Sequence, residues 1–397
     1  MAKQTARWVQ CWGQAHAALS LMYFPEGERT FRLVVSTPIS GKALRVHLSN
    51  KFGKDPVKIG GITAAPCNKS GTINADAEIL QLTLNGNGEF TIYPGQRLVT
   101  DSVPFDAGVD DFICISMHVL SGRLTSGNGL SNCLLMFCDG DKTHKHVFPR
   151  ADRTRNTVIK KVTGILGLHH PLPIPLFEDV ELDNRDGAST IVCFGDSLTH
   201  QGYWTNPFER IIRSTYPGRY SVINKSVTGN RLMDDSKFFL LQGFFGIKAS
   251  DRVEEDVFSY DNITHALICI GINDMIQPGT ISAPPWDKKD LHQYAEALTE
   301  FYLRFREKGI KTIGMNFPPF GGSPDSTPEK HEIRRSVNEW FAANTDICDE
   351  FVDIYALTRS PQCDDLAPRY ILGEDNLHPN IFGGELLASK IPLDFFA

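Results

Sequence analysis

The first third of the chain alternates apolar and polar residues in short runs, at 31–36, 44–50, 79–84, 89–93 and 112–119, with Gly, Asn and Asp between them. A period of two broken by turn residues predicts half-buried antiparallel strands, and several in series predict a β-sandwich. Almost nothing before residue 150 has helical periodicity over a useful length. A Pro-rich stretch at 170–175 and an acidic one at 178–186 then read as a linker. From Ser189 onward the pattern changes. Apolar runs at 191–194, 220–224, 266–270, 311–316 and 351–354 alternate with amphipathic stretches. The clearest helix is 290–308, where Leu291, Tyr294, Leu298, Phe301, Tyr302 and Phe305 share one face and Gly309 is the stop. Two more are expected at 328–343 and 385–391. Strand–helix alternation predicts a parallel sheet with helices on both faces. The expected organisation is a β-sandwich at 1–170, a linker at 171–188 and an α/β domain at 189–397.

A length of 397 residues exceeds one comfortable core and agrees with two domains. With 41% hydrophobic and 22% charged residues, and only 33 Gly and 23 Pro, collagen-like and mostly disordered chains are excluded. A net charge of −7 provides no basic footprint, so no nucleic-acid partner is expected. The stretch Met1-Ala2-Lys3-Gln4-Thr5-Ala6-Arg7-Trp8 has no apolar run after its positive charges, so no secretory signal is expected. No apolar run approaches the ~20 residues of a membrane helix. The nine cysteines are odd in number, scattered and without a C-x-x-C pair. Cys114 and Cys269 lie inside apolar runs, so buried reduced thiols and a cytoplasmic location are the expectation.

Chemistry concentrates where strands end. In Ile191-Val192-Cys193-Phe194-Gly195-Asp196-Ser197-Leu198-Thr199 an apolar strand runs into Gly-Asp-Ser, and an amphipathic stretch follows at 207–214. Ser197 therefore falls at the carboxyl end of a strand, where open α/β sheets bind ligands. Asp-Ser could equally be a helix cap. The segment is not a G-x-S-x-G elbow, because Thr199 holds the fifth position. A serine nucleophile needs a base and a carboxylate to hold that base's tautomer. Asp375-Asn376-Leu377-His378-Pro379 supplies both on one loop. Val227-Thr228-Gly229-Asn230 and Gly271-Ile272-Asn273-Asp274 follow two more strands. Each could be an ordinary turn. At the same sheet edge, Gly229 allows close backbone approach and Asn273 offers an N–H donor to an oxyanion.

In order, Gly-Asp-Ser-Leu, the Gly229 segment, Gly-x-Asn-Asp and Asp-x-x-His-Pro resemble the four blocks of the SGNH hydrolases, the GDSL-type esterases and lipases. The resemblance covers roughly 190–397. It implies a flavodoxin-like three-layer α/β/α domain, with Ser197 as nucleophile, His378 as base and Asp375 as its orienter. It also implies an oxyanion hole made by the Ser197 and Gly229 backbone N–H groups and the Asn273 amide. Leu44-Arg45-Val46-His47-Leu48-Ser49-Asn50-Lys51-Phe52-Gly53, and Tyr93-Pro94-Gly95 followed by Ser102-Val103-Pro104, look like the jelly-roll-like antiparallel β-sandwich that some two-domain members carry ahead of the catalytic domain. Such members often remove acetyl or other short acyl groups from carbohydrates. The segment His200-Gln201-Gly202-Tyr203-Trp204 is short and aromatic and departs from the pattern, so the pocket cannot be carried over by analogy.

Other candidates have plainer readings. His144-Lys145-His146 and His169-His170 lack partners at metal-ligand spacing, and no metal or cofactor is expected. His331-Glu332-Ile333-Arg334-Arg335 has Arg335 where a zinc protease needs histidine. Asp196 and Asp274 suit loop-holding hydrogen bonds better than a glycosidase pair. Trp204 and Phe317 are candidate substrate contacts, as a sugar-stacking ring and a pocket wall, with packing as the other reading. Phe238, Phe239, Phe244 and Phe245 could form an acyl-pocket lip, an interface or core. The expected activity is hydrolysis of short-chain esters, acetyl above all, on a small molecule or oligosaccharide. A lipid ester or thioester hydrolase, a carbohydrate-binding non-enzyme and a homo-oligomer stay open.

Overall fold

The computed structural model describes residues 7–19, 24, 26–130, 132–149, 173–236, 243–373 and 375–397. The chain forms two compact units, Met1–Thr190 with Arg213–Ile223, and Ile191–Ile212 with Asn224–Ala397.

The first unit is built from antiparallel sheets. In one, the order is Trp8–Gly13, Phe177–Asp183, Gly41–Ser49, Arg97–Val99, with Val103–Ala107 also pairing Gly41–Ser49. In the other it is Leu134–Asp139, Arg29–Ser36, Phe112–Ser121, Val57–Cys67, Leu80–Leu82, with Phe90–Ile92 on Val57–Cys67. The period-two pattern explains the packing. Leu44, Val46 and Leu48 from the first sheet and Phe31, Leu33, Val35, Ile113, Ile115 and Met117 from the second share one core. On the far side of the second sheet, Arg32 donates to Ser116 Oγ at 2.8 Å and to the carbonyls of Gly71, Lys145 and His146. The His144–His146 loop is thus tied down through its backbone, with its histidines at the surface. His169 and His170 lie outside the described residues.

The stretch expected as a linker at 171–188 is a correction. Residues Phe177–Asp183 form a fully buried strand between Trp8–Gly13 and Gly41–Ser49. Its acid-rich composition hides a strand pattern, because Phe177, Val180 and Leu182 enter the core while the carboxylates find partners. Arg97 pairs with Glu178 at 2.9 Å, Arg45 with Glu181 at 2.6 Å and Arg185 with Asp183 at 3.0 Å. His47, Glu178 and Asp179 bring ligand-type atoms within 4.8 Å of one another. Arg97 holds Glu178, and His47 lies 2.7 Å from Glu181, so an ion-pair network accounts for the grouping.

In the second part of the chain, five strands form a sheet in the order Tyr220–Asn224, Ser189–Gly195, Ile263–Cys269, Lys311–Met315, Glu350–Val352. Counted along the chain this is 2-1-3-4-5, the flavodoxin-like order, with the last three strands paired in parallel. Helix Leu291–Glu307 starts at a capping box of Asp290 and Gln293, and it buries Tyr294, Leu298, Phe301, Tyr302 and Phe305. Leu291, at its first turn, stays 36% exposed. Helix Pro328–Ala343 opens with Thr327 as cap and Pro at its first position. The last helix, Ile381–Ser389, begins four residues earlier than expected because Asn380 caps Phe382 and Gly383. Parallel strands bring the segments after Gly195, Asn224, Cys269 and Met315 to one edge of the sheet.

Candidate active site

Strand Ser189–Gly195 delivers Ser197 to that edge. A Cβ on Gly195 would lie 2.3 Å from the Cys269 carbonyl oxygen, so only glycine fits between the strands. Asp196 caps the short helix Ser197–His200, accepting from Leu198 N–H at 3.0 Å. Ser197 is the first residue of this helix, so its N–H is among the donors left without an intrahelical partner. Burial pushes the Asp196 carboxyl up to about 7, with the Asp274 charge adding to the rise and the Leu198 N–H opposing it.

The loop at 375–378 brings in the other two groups. His378 Nε2 is 2.7 Å from Ser197 Oγ, and His378 Nδ1 is 2.5 Å from Asp375 Oδ2. Asp375 Oδ1 accepts from the backbone N–H of Leu377 and His378 at 2.9 and 3.0 Å, which fixes the carboxylate. Burial alone would raise the Asp375 pKa. The His378 hydrogen bond and charge, with the two N–H groups, outweigh it and hold the carboxyl below its ordinary value. The structure therefore brings Ser197 together with the Asp375–His378 pair, whose histidine lies 181 residues further along the chain.

Gly229 sits in the left-handed region, with φ +69°. Its carbonyl accepts from Gln277 Nε2 at 2.7 Å. Asn273 lies on helix Ile272–Ile276, opened by Gly271 at φ +119°, and its Nδ2 donates to the Asn230 carbonyl at 3.0 Å. An amide carries two N–H donors, so this bond uses one of them. Asp274 accepts from the N–H groups of Leu232 and Met233 at 2.7 and 2.9 Å. Burial pushes its carboxyl up to about 6, against the pull of Arg231. Asp196 thus holds a helix start and Asp274 a loop backbone.

The two candidate substrate contacts are both buried. Trp204 is 2% exposed and packs on Phe208, at 6.4 Å between ring centroids. The last helix closes over this turn, since a Cβ on Gly384 would lie 2.1 Å from the Tyr203 carbonyl oxygen. Phe317 is 1% exposed, stands edge-on to Tyr294 and is clasped through its backbone by Asn338. Phe317 is packed in the core, and Trp204 is a buried wall of a small apolar cavity that it shares with Leu198 and Pro379. Phe245 packs beneath Gly229 and pairs with Phe244, while Phe238 and Phe239 lie outside the described residues. Gln277, Arg231 and Arg252 go unnoticed in the sequence, since none belongs to a short recognisable motif.

The sheet order and the Ser–His–Asp chain at its edge define an α/β domain of the SGNH hydrolase fold. Residues 193–386 match the model of the GDSL-like Lipase/Acylhydrolase family. A catalytic mutant of an acetylxylan esterase from Geobacillus stearothermophilus is similar at 21% identity, over 51% of this chain and 92% of that one, with a TM-score of 0.38. A GDSL-like lipase from Bacteroides thetaiotaomicron VPI-5482 is similar at 16% identity, over 51% and 84%, with a TM-score of 0.34. An alpha/beta hydrolase from the metagenome of Lake Arreo, Spain, is similar at 17% identity, over 50% and 91%, with a TM-score of 0.37. No curated protein matches the chain.

Proposed function

We propose that the protein is a serine esterase that removes short acyl groups, acetyl above all, from oligosaccharide or small-molecule esters. The observation that carries the reading is the continuous hydrogen-bonded line from Ser197 Oγ through His378 to Asp375. In this scheme the Ser197 oxygen attacks the ester carbonyl as its proton passes to His378 Nε2. Asp375 holds Nδ1–H and stabilises the imidazolium. Ser197 N–H, Gly229 N–H and the Asn273 amide receive the oxyanion. The tetrahedral intermediate collapses, the alcohol leaves with the proton from His378, and an acyl-enzyme remains. Water then attacks with His378 as base, releasing the carboxylic acid and free Ser197.

A short acyl group is favoured because the apolar cavity lined by the residues that follow Ser197 and His378 in the chain, Leu198 and Pro379, together with Trp204, Met315 and Pro318, is small. Among the described residues no helix is long and apolar enough to cross a membrane. The test is hydrolysis of p-nitrophenyl esters from acetate to decanoate by wild type and Ser197→Ala. The expected result is fastest turnover on acetate, abolished in the variant, followed by acetate release from acetylated xylo-oligosaccharides. A preference for decanoate would replace the acyl assignment with a lipid-type ester.

A further inference from the structure

Arg252 lies outside all four motif segments, yet its guanidinium is buried at the centre of the site's scaffold, 2% exposed. Its Nε donates to Asn230 Oδ1 at 2.8 Å. Its Nη1 donates to the Lys225 carbonyl and to Asp256 Oδ2, both at 2.7 Å, and its Nη2 donates to the Gly195 carbonyl at 2.9 Å. The guanidinium plane is backed by Phe194, 3.9 Å from the ring centroid.

Apart from Asp256, these acceptors belong to the two segments that carry Ser197 and Gly229. Gly195 is two residues before Ser197, and its carbonyl orientation sets the turn into the helix whose first N–H is Ser197's. Lys225 and Asn230 flank Gly229 on either side. The Asn230 carbonyl in turn receives Asn273 Nδ2 at 3.0 Å. One side chain therefore fixes the relative position of all three donors. We infer that Arg252 is a positioning residue for the oxyanion hole, acting through Gly195 and Asn230 without touching substrate. A lysine cannot replace it, because a single ammonium cannot reach acceptors spread around a planar fork. The inference rests on the esterase reading above.

An interaction that serves the transition state alone lowers kcat when lost and leaves KM alone. Arg252→Lys is therefore expected to lower kcat on p-nitrophenyl acetate by roughly 10- to 100-fold, below the full loss of a donor, with KM within about threefold. Affinity for an alkyl boronic acid, which forms a tetrahedral adduct on the serine, should fall by the same factor as kcat. Asp256→Asn keeps the three bonds to Gly195, Lys225 and Asn230, so it should lower the thermal midpoint while kcat stays within about twofold. If circular dichroism shows Arg252→Lys unfolded, Asn230→Ala provides the measurement. It removes the acceptor, together with the bonds from Asn230 Nδ2 to the Phe245 and Ile247 carbonyls at 2.8 and 2.7 Å, and leaves the Asp256 pair, and the same kcat-only loss is expected. An unchanged kcat, a loss carried by KM, or equal kcat losses in Arg252→Lys and Asp256→Asn would overturn the inference. Wild-type turnover that survives Ser197→Ala would instead overturn the esterase reading.

Discussion

Gly229 carries two constraints at once. Its φ of +69° disfavours any side chain, and a Cβ would lie 2.3 Å from the Phe245 ring. Gly229→Ala is expected to cost about 1–3 kcal/mol of stability and to lower turnover, read by thermal unfolding and by p-nitrophenyl acetate assay. Asn273→Ala should lower kcat by roughly 10²–10³-fold with KM near wild type, as for one lost oxyanion donor. Asp196 gives a pH prediction. Its folded pKa of about 7 exceeds the ordinary aspartate value of ~3.9. The folded state therefore keeps a proton that the unfolded chain has released. Raising pH from about 4 to about 7 should erode this contribution to stability. Asp196→Asn escapes that loss, so its unfolding midpoint should gain on wild type across the window. A constant or shrinking difference between the two curves would contradict the shifted pKa. At this scale the sequence makes Ser197, Gly229, Asn273, Asp375 and His378 legible, because each lies in a short contiguous motif. It leaves Trp204 and Phe317 ambiguous, because an aromatic ring's choice between core and cleft depends on what packs against it. Here a helix beginning 177 residues after Trp204 closes over its turn and shares a small apolar cavity with it.

Among the elements, the parallel strands and the helices Leu291–Glu307 and Pro328–Ala343 follow directly from periodicity and caps. Strand Phe177–Asp183 does not, since four acids in seven residues read as solvated chain until Arg45, Arg97 and Arg185 are seen beside them. Its Val180 is fully buried in the sandwich core. Val180→Ala should destabilise by about 1–3 kcal/mol through lost burial and a residual cavity, measured by urea unfolding. A true linker would show no effect. Arg252 is equally hidden, because its acceptors are two backbone carbonyls, one amide and one carboxylate from three separate segments.

For the molecule as a whole, the reactive group exists only when distant parts of the chain meet. Ser197 and His378 are 181 residues apart and touch at 2.7 Å. Both the proposed oxyanion donors and the proposed base depend on segments at one edge of the sheet, so reactivity should report the assembled domain rather than any one segment. The most direct measurement is covalent labelling with diethyl p-nitrophenyl phosphate, followed by intact mass and peptide mapping. The account predicts one diethylphosphoryl adduct on Ser197 of the folded protein. That adduct should be absent in Ser197→Ala, strongly slowed in His378→Ala and absent after unfolding in urea. An adduct on another residue, or ester turnover that persists without Ser197, would contradict it.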